Sequence, residues 1–217
     1  MIGKRLIHIG IGSTTESAIR YILNNEVEKK GLMTFIDNRA HVNLREARKL
    51  SDAPAFTFVR NPWDWYISLY IQECRVHRWQ GPFWKWFAQA KSFADTFEWF
   101  TNPGIDFVGR YENYANDLSR IFTAIAPDIF TDEMVQSWFP QYFSLNGSLR
   151  YPWQECMEQS LRSELFTREL CAIVQERDAK IIKIGNYSFD QYYDFPPHTW
   201  RIPEEEKAEH ERLWNVK

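Results

Sequence analysis

Short runs of consecutive apolar residues alternate along this chain with stretches in which apolar residues recur every three or four positions. Residues 5–11, RLIHIGI, form the first run and predict a strand, and the small polar segment Gly12, Ser13, Thr14, Thr15 predicts a tight loop after it. Ala18, Ile19, Ile22, Leu23 and Val27 then keep helical spacing. Ser13 or Thr15 is available as the N-cap, and Glu16 falls in the first turn, where negative charge complements the helix dipole. Residues 33–36 predict a second short strand, and Leu44 to Leu50 a short helix with His41 just before it. Residues 55–59, AFTFV, are continuously apolar, as a parallel strand covered on both faces requires. A helix is predicted from Pro62, a residue favoured in a first turn, with Trp65, Tyr66, Leu69 and Tyr70 at helical spacing.

The second half repeats the pattern. Residues 79–100 gather Trp79, Phe83, Trp84, Trp86, Phe87, Phe93, Phe97, Trp99 and Phe100 around few aliphatics, which predicts short helices or a lid-like insertion spanning about 75–103. Residues 105–109, IDFVG, predict a further buried strand, followed by a helix marked by Leu118, Ile121, Phe122 and Ile125. Leu165, Leu170, Ile173, Val174, Ile181 and Ile182 predict one long late helix between Leu161 and Ile184, and the charged tail beyond Pro203 predicts an exposed terminal helix. With no internal repeat or low-complexity linker, the economical architecture is a single three-layer α/β domain over residues 1–217, built on a central, mainly parallel sheet.

Composition narrows the functional classes. A length of 217 residues suits one domain, and 44% hydrophobic with 25% charged residues describes a folded globular chain. The net charge of −3 and pI near 6.0 leave no broad basic surface for nucleic acid. Cys74, Cys156 and Cys171 are odd in number and widely spaced, which fits a reducing compartment better than a disulfide framework or a zinc site. No run approaches the length of a membrane-spanning helix, and no cleavage site follows the N-terminal strand, so the expectation is a cytoplasmic protein without a membrane anchor.

Two strand ends carry candidate chemistry. A strand that feeds a small polar loop opening a helix aims free N–H groups and the helix dipole at an anion, and Gly10, Gly12, Ser13, Thr14, Thr15 and Ser17 have that arrangement. Such a turn also serves as a plain structural connection. The segment lacks the lysine of the GxxxxGK[ST] nucleotide loop, which argues against a nucleotide kinase. At the end of the third predicted strand, Arg60 offers a planar fork of donors suited to phosphate, and Ser68 adds a hydroxyl about two helical turns on. Trp63 and Trp65, beside Arg60, are the aromatic residues best placed to meet a ligand, whereas the stretch 79–100 reads as packing.

RNPxDxxxSxY, carried by Arg60, Asn61, Pro62, Asp64, Ser68 and Tyr70 after FTFV, resembles the 3′-phosphate-binding motif of the sulfotransferases, with Trp65 where the family often has a second arginine. IDFVGRYENYANDLSRIF, residues 105–122, resembles the family's strand and helix with a GRxEN core at Gly109, Arg110, Glu112 and Asn113. FTRELCAIVQERDAKIIKIGNY, residues 166–187, resembles its closing helix with a final glycine and tyrosine. His8, Ile9 and Gly10 match the family's 5′-phosphosulfate loop, and Ile11 falls where that loop has its lysine.

The resemblance, closest to the carbohydrate-type branch, implies a P-loop-like sulfotransferase fold. It implies a metal-free transfer of a sulfuryl group from 3′-phosphoadenosine 5′-phosphosulfate to a hydroxyl acceptor, leaving adenosine 3′,5′-bisphosphate. Arg60, Ser68 and the residues of the first loop are then the donor contacts, and Arg110 is a cation available in place of the loop lysine. His41 is the implied general base and Glu16 the second candidate, because proton removal from the acceptor needs a group with a pKa near the working pH. The alternative is a relative that binds the nucleotide without turnover, which the isoleucine at position 11 keeps in view.

Overall fold

The computed structural model describes residues 5–12, 16–37, 43–139 and 161–191. Its sheet has four strands, β1 (Arg5–His8), β2 (Thr34–Asp37), β3 (Ala55–Val59) and β4 (Phe107–Arg110), in the order β2-β1-β3-β4. All three pairings are parallel, with Leu6 opposite Phe35, Ile7 opposite Ala55 and Phe58 opposite Gly109. Every residue of β3 is buried, as its continuous apolar run requires. Leu6, Phe56 and Phe58 enter one hydrophobic cluster, while Ile7, Ala55 and Val59 enter the other, because successive side chains alternate across a strand. Gly109 is needed for room: a Cβ there would come within 2.5 Å of the Phe58 ring on the neighbouring strand.

Helices cover both faces. The face holding Leu6 and Phe56 packs against α1 (Glu16–Ile22) with its π-helical continuation Leu23–Glu28, α6 (Tyr114–Ile125) and α7 (Asp132–Gln136). The other face packs against α2 (Leu44–Arg48), α3 (Pro62–Val76), α4 (Phe83–Phe87) and α5 (Phe93–Thr101). Among the described residues three late helices join it, α8 (Arg162–Leu165), α9 (Arg168–Arg177) and α10 (Ala179–Gly185). The aromatic stretch is packing: Phe83, Trp86, Phe87, Phe93, Phe97 and Phe100 are buried in this cluster, with Trp84 and Trp99 left exposed.

The single helix expected between Leu161 and Ile184 is three helices. Phe166 is extended, and the Thr167 hydroxyl accepts from the Leu170 N–H, so α9 starts afresh with its own cap. At Asp178 the backbone leaves helical geometry while the carboxylate accepts from the Tyr66 hydroxyl at 2.7 Å and the Ala94 N–H at 2.8 Å. Tertiary hydrogen bonds override the apolar period there. Strand β1 also stops earlier than its apolar run, although the Ile9 N–H still donates to the Phe56 carbonyl at 2.9 Å. The tail beyond Pro203 lies outside the described residues. Among the described residues no helix is long and apolar enough to cross a membrane.

Candidate functional site

From β1 the chain crosses to β2 on one side and later to β3 on the other, so the order reverses between β1 and β3. In open parallel sheets that reversal leaves a crevice at the carboxyl ends of the two strands, where ligands bind. The segment Ile9–Gly12 leaves β1 at this edge, and Arg60 with Asn61 leaves β3 beside it. Trp65, on α3, joins the two segments: its indole N–H donates to the Gly12 carbonyl at 2.8 Å. Its ring lies on Phe93, 4.4 Å between centroids and 7° from parallel. Trp63 is buried against Phe189. Both tryptophans therefore belong to the frame beneath the crevice and do not offer a face to a ligand. Ile11 is fully buried in the same cluster as Trp63 and Trp65, so an aliphatic side chain is what this packing position accommodates.

Arg60 and Ser68 are each only 1% exposed. The guanidinium of Arg60 lies over the Tyr111 ring, 4.4 Å from its centroid. The Asn61 side chain caps α3 by accepting from the Trp63 N–H, and its amide donates to the Ser188 carbonyl at 3.2 Å. Seven positions on, at a spacing that returns to the same helical face, Ser68 has a buried hydroxyl with no hydrogen-bond partner among the described residues. An unsatisfied buried hydroxyl carries a cost of about 1–3 kcal/mol, so it calls for an explanation such as a ligand oxygen.

Three distant segments meet at Glu112. One carboxylate oxygen accepts from the Asn61 backbone N–H at 2.7 Å, the other from the Tyr187 hydroxyl at 2.8 Å. Tyr187 reaches that position because Asn186 takes a left-handed conformation, φ 53°, and because Gly185 leaves room for the ring. A Cβ at Gly185 would fall 1.9 Å from the Tyr187 ring. Glu112 touches the surrounding cleft at one edge and is enclosed by protein elsewhere. Burial pushes its carboxyl up to about 7, against the lowering influence of the Asn61 N–H, the Tyr187 hydroxyl and the Arg60 charge. The Asn61, Glu112 and Tyr187 segments named in the sequence thus converge on one hydrogen-bonded hub.

Arg110, Glu112, Asn113, Gly185, Tyr187 and Gln191 line a cleft of about 300 Å³ beside this hub. Arg110 projects from the end of β4, partly exposed, with its Nε bonded to Asp117 at 3.0 Å, a contact that holds its pKa above the usual arginine value. β4 lies two strand spacings, roughly 10 Å, from β1. Arg110 therefore belongs to the Glu112 cleft, and β3 stands between it and the first loop.

A second polar contact supports α3 from below. Asp64 and Arg162 form a buried two-pronged pair, with both N–O distances 2.5 Å, and the remaining Arg162 nitrogen donates to the carbonyls of Phe189 and Gln191. The pair ties the first turn of α3 to α8 and to the segment after Tyr187. Only the acidic residue in the RNPxD spacing hinted at it; its partner lies 98 residues away.

His41, Ser13, Thr14 and Thr15 lie outside the described residues, and for Glu16 and Ser17 the structure describes the backbone at the start of α1 but not the side chains. His8, in β1, is buried with its ring against Phe56, 5.0 Å between centroids, in a structural position. No protein-family model matches the chain, and no curated protein sequence matches it.

Proposed function

We propose that this chain is a sulfotransferase that moves a sulfuryl group from 3′-phosphoadenosine 5′-phosphosulfate to a hydroxyl acceptor, with a carbohydrate as the favoured acceptor class. The observation that carries this reading is a buried arginine, Arg60, at the end of β3 by the β1/β3 reversal of a parallel sheet, followed on α3 by the buried, unsatisfied hydroxyl of Ser68. A phosphate at that place would receive the arginine fork and complete the serine's hydrogen bond. The 5′ end of the donor would lie along Gly10, Gly12, Ser13, Thr14, Thr15 and Ser17, where the start of α1 offers N–H groups.

In this reading the acceptor oxygen attacks sulfur in line as the bond from sulfur to the bridging phosphate oxygen breaks. The acceptor proton passes to His41, with Glu16 as the second candidate base, and adenosine 3′,5′-bisphosphate departs. Catalysis rests on positioning and charge stabilisation, as in phosphoryl transfer. The burial of Ile11 favours a second reading, nucleotide binding without turnover, because the packed isoleucine supplies no cation at the departing phosphate.

Titration calorimetry with adenosine 3′,5′-bisphosphate and adenosine 5′-monophosphate tests the donor site. Selective binding of the bisphosphate, weakened at least about 100-fold in Arg60→Ala and about 10-fold in Ser68→Ala, is expected from loss of a charged and of a neutral phosphate contact. Equal binding of the two nucleotides, or none in a folded sample, removes the proposal. Sulfuryl transfer to a carbohydrate panel then separates the enzyme from the binding protein.

A further inference from the structure

Glu112 takes no part in the transfer just described, yet it sits at the junction of three segments and beside the arginine on which the donor depends. We propose that Glu112 is a proton-linked counter-charge to Arg60, taking up a proton when an anion settles on Arg60 and releasing it when the anion leaves. The inference rests on the reading of Arg60 as an anion-binding residue, and it makes Glu112 a positioning residue.

The hydrogen-bond geometry accommodates both protonation states. Ionised, Glu112 accepts from the Asn61 N–H at 2.7 Å and from the Tyr187 hydroxyl at 2.8 Å. A proton added to the first oxygen would face the Asn61 N–H, donor against donor, so it belongs on the second. There Glu112 donates to the Tyr187 oxygen, and the phenol turns its own hydrogen to the Val59 carbonyl, 3.3 Å away. In each state the contacts with Asn61 and Tyr187 persist without moving a heavy atom.

The charged and titratable groups around Glu112 set the direction of the linkage. Arg60 faces it from the end of β3, Arg110 from β4 with Asp117 of α6 behind it, and Tyr187 from beyond α10. Asn113 and Gln191, the neighbouring cleft residues, are neutral. An anion on Arg60 engages the positive charge that favours ionised Glu112 and adds a negative charge nearby, so the carboxyl takes a proton. Its ionisation near neutral pH in the free protein makes that uptake measurable. The proton comes from solvent through the cleft that Glu112 lines.

The test follows the Glu112 carboxyl directly in the full chain labelled with 13C at glutamate carboxyls. Its resonance is assigned by its absence from E112Q. Titrations are run on the free protein, with adenosine 3′,5′-bisphosphate, and with sodium sulfate, which does not itself titrate in this range. With either anion bound, the midpoint is expected to rise by about half a pH unit or more. Calorimetry at pH 7 in two buffers of different ionisation heat is expected to show net proton uptake in the wild type that is lost in E112Q while the anion still binds. The phosphate's own ionisation, near pH 6, cancels in that comparison.

An anion that binds without moving the midpoint overturns the proposal. If sulfate binds and moves the midpoint while the bisphosphate fails to bind, the counter-charge stands and the nucleotide reading falls; if neither anion binds, both fall. Should E112Q fail to fold, Tyr187→Phe keeps the ring over Gly185 and removes the phenol oxygen. The resonance that it displaces then identifies Glu112, its midpoint in the free protein is expected to rise, and the uptake at pH 7 to shrink.

Discussion

The two faces of the sheet are built from different materials. On the face covered by α1, α6 and α7, the core is rings and aliphatics: Phe122 stacks near Phe130 and meets Phe56 and Trp138 edge-on, while ionic contacts stay at the margin, around Asp117 and between Lys30 and Glu26. The face covered by α3 to α5 and α8 to α10 is as rich in rings but carries polar contacts through its interior. Asp64 pairs with Arg162, Asp178 anchors Tyr66 and the start of α5, and Arg177 lies over Tyr66 and Phe87. Apolar packing is forgiving about direction, whereas buried hydrogen bonds permit few arrangements. The directional face is the one that holds α3, which Asn61 caps and which carries Ser68.

The largest test of this contrast is Asp64→Ala. It leaves the Arg162 guanidinium buried and uncompensated, and a loss of about 3–5 kcal/mol is expected in urea unfolding, with bisphosphate binding lost as well. Adding Arg162→Met is expected to return most of the stability without the binding, because an apolar pair replaces the charges but not the direction they impose. Full recovery of binding in the double variant would show that the pair is filler.

Glu112 gives the next effect. Its carboxyl titrates at about 7 when folded against an ordinary value of 4.5, so between those limits the native protein holds a proton that the unfolded chain has released. Stability from this group is present at acid pH and falls as pH rises toward 7, by up to about 3 kcal/mol. The difference between the unfolding free energies at pH 5 and pH 8, measured in urea, is expected to change in E112Q by about 2–3 kcal/mol; an unchanged pH dependence would place the charge elsewhere.

Smaller effects fall on the face covered by α1, α6 and α7. Gly109→Ala presses a methyl into Phe58 and is expected to cost about 1–3 kcal/mol, read by thermal unfolding, with retained bisphosphate binding in the folded fraction. Thr131→Ala removes the hydroxyl that accepts from the Met134 N–H at the start of α7, an expected loss of about 1 kcal/mol with no change in binding. A binding defect in either would show that the two faces are not separable.

Much of the scaffold was legible because burial writes itself into local pattern. The continuous run AFTFV became β3, and Pro62 after Asn61 marked the start of α3. Arg60, Asn61 and Ser68 were also visible as residue types at the end of a buried strand, and Glu112 and Tyr187 as members of later segments. Their meeting was not legible, since it depends on the sheet order and on the left-handed turn at Asn186. Arg162 carried no local signal: it stands between Leu161 and Ser163, and only the fold reveals that it is buried. The late helix was misjudged for the same reason, its breaks at Thr167 and Asp178 being set by contacts that spacing does not encode. Trp63 and Trp65 looked like ligand contacts because they follow Arg60 in sequence, but one indole packs edge-on to Phe189 and the other stacks on Phe93 while donating to the Gly12 carbonyl.

The clasp at Tyr187 has a kinetic consequence. Asn61 is tied to Ser188 across 127 residues, and Val59 to Tyr187 across 128. Such distant closures are slow steps in folding, since loop entropy is lost before the contact forms. On the ribosome, residues emerge at roughly 5–20 per second, so a nascent chain exposes Arg60 for on the order of ten seconds before Tyr187 is made. During that interval the Glu112 carboxyl, once made, lacks the phenol that donates to it. A chain stalled before Tyr187 would therefore carry Arg60 and Glu112 without the clasp.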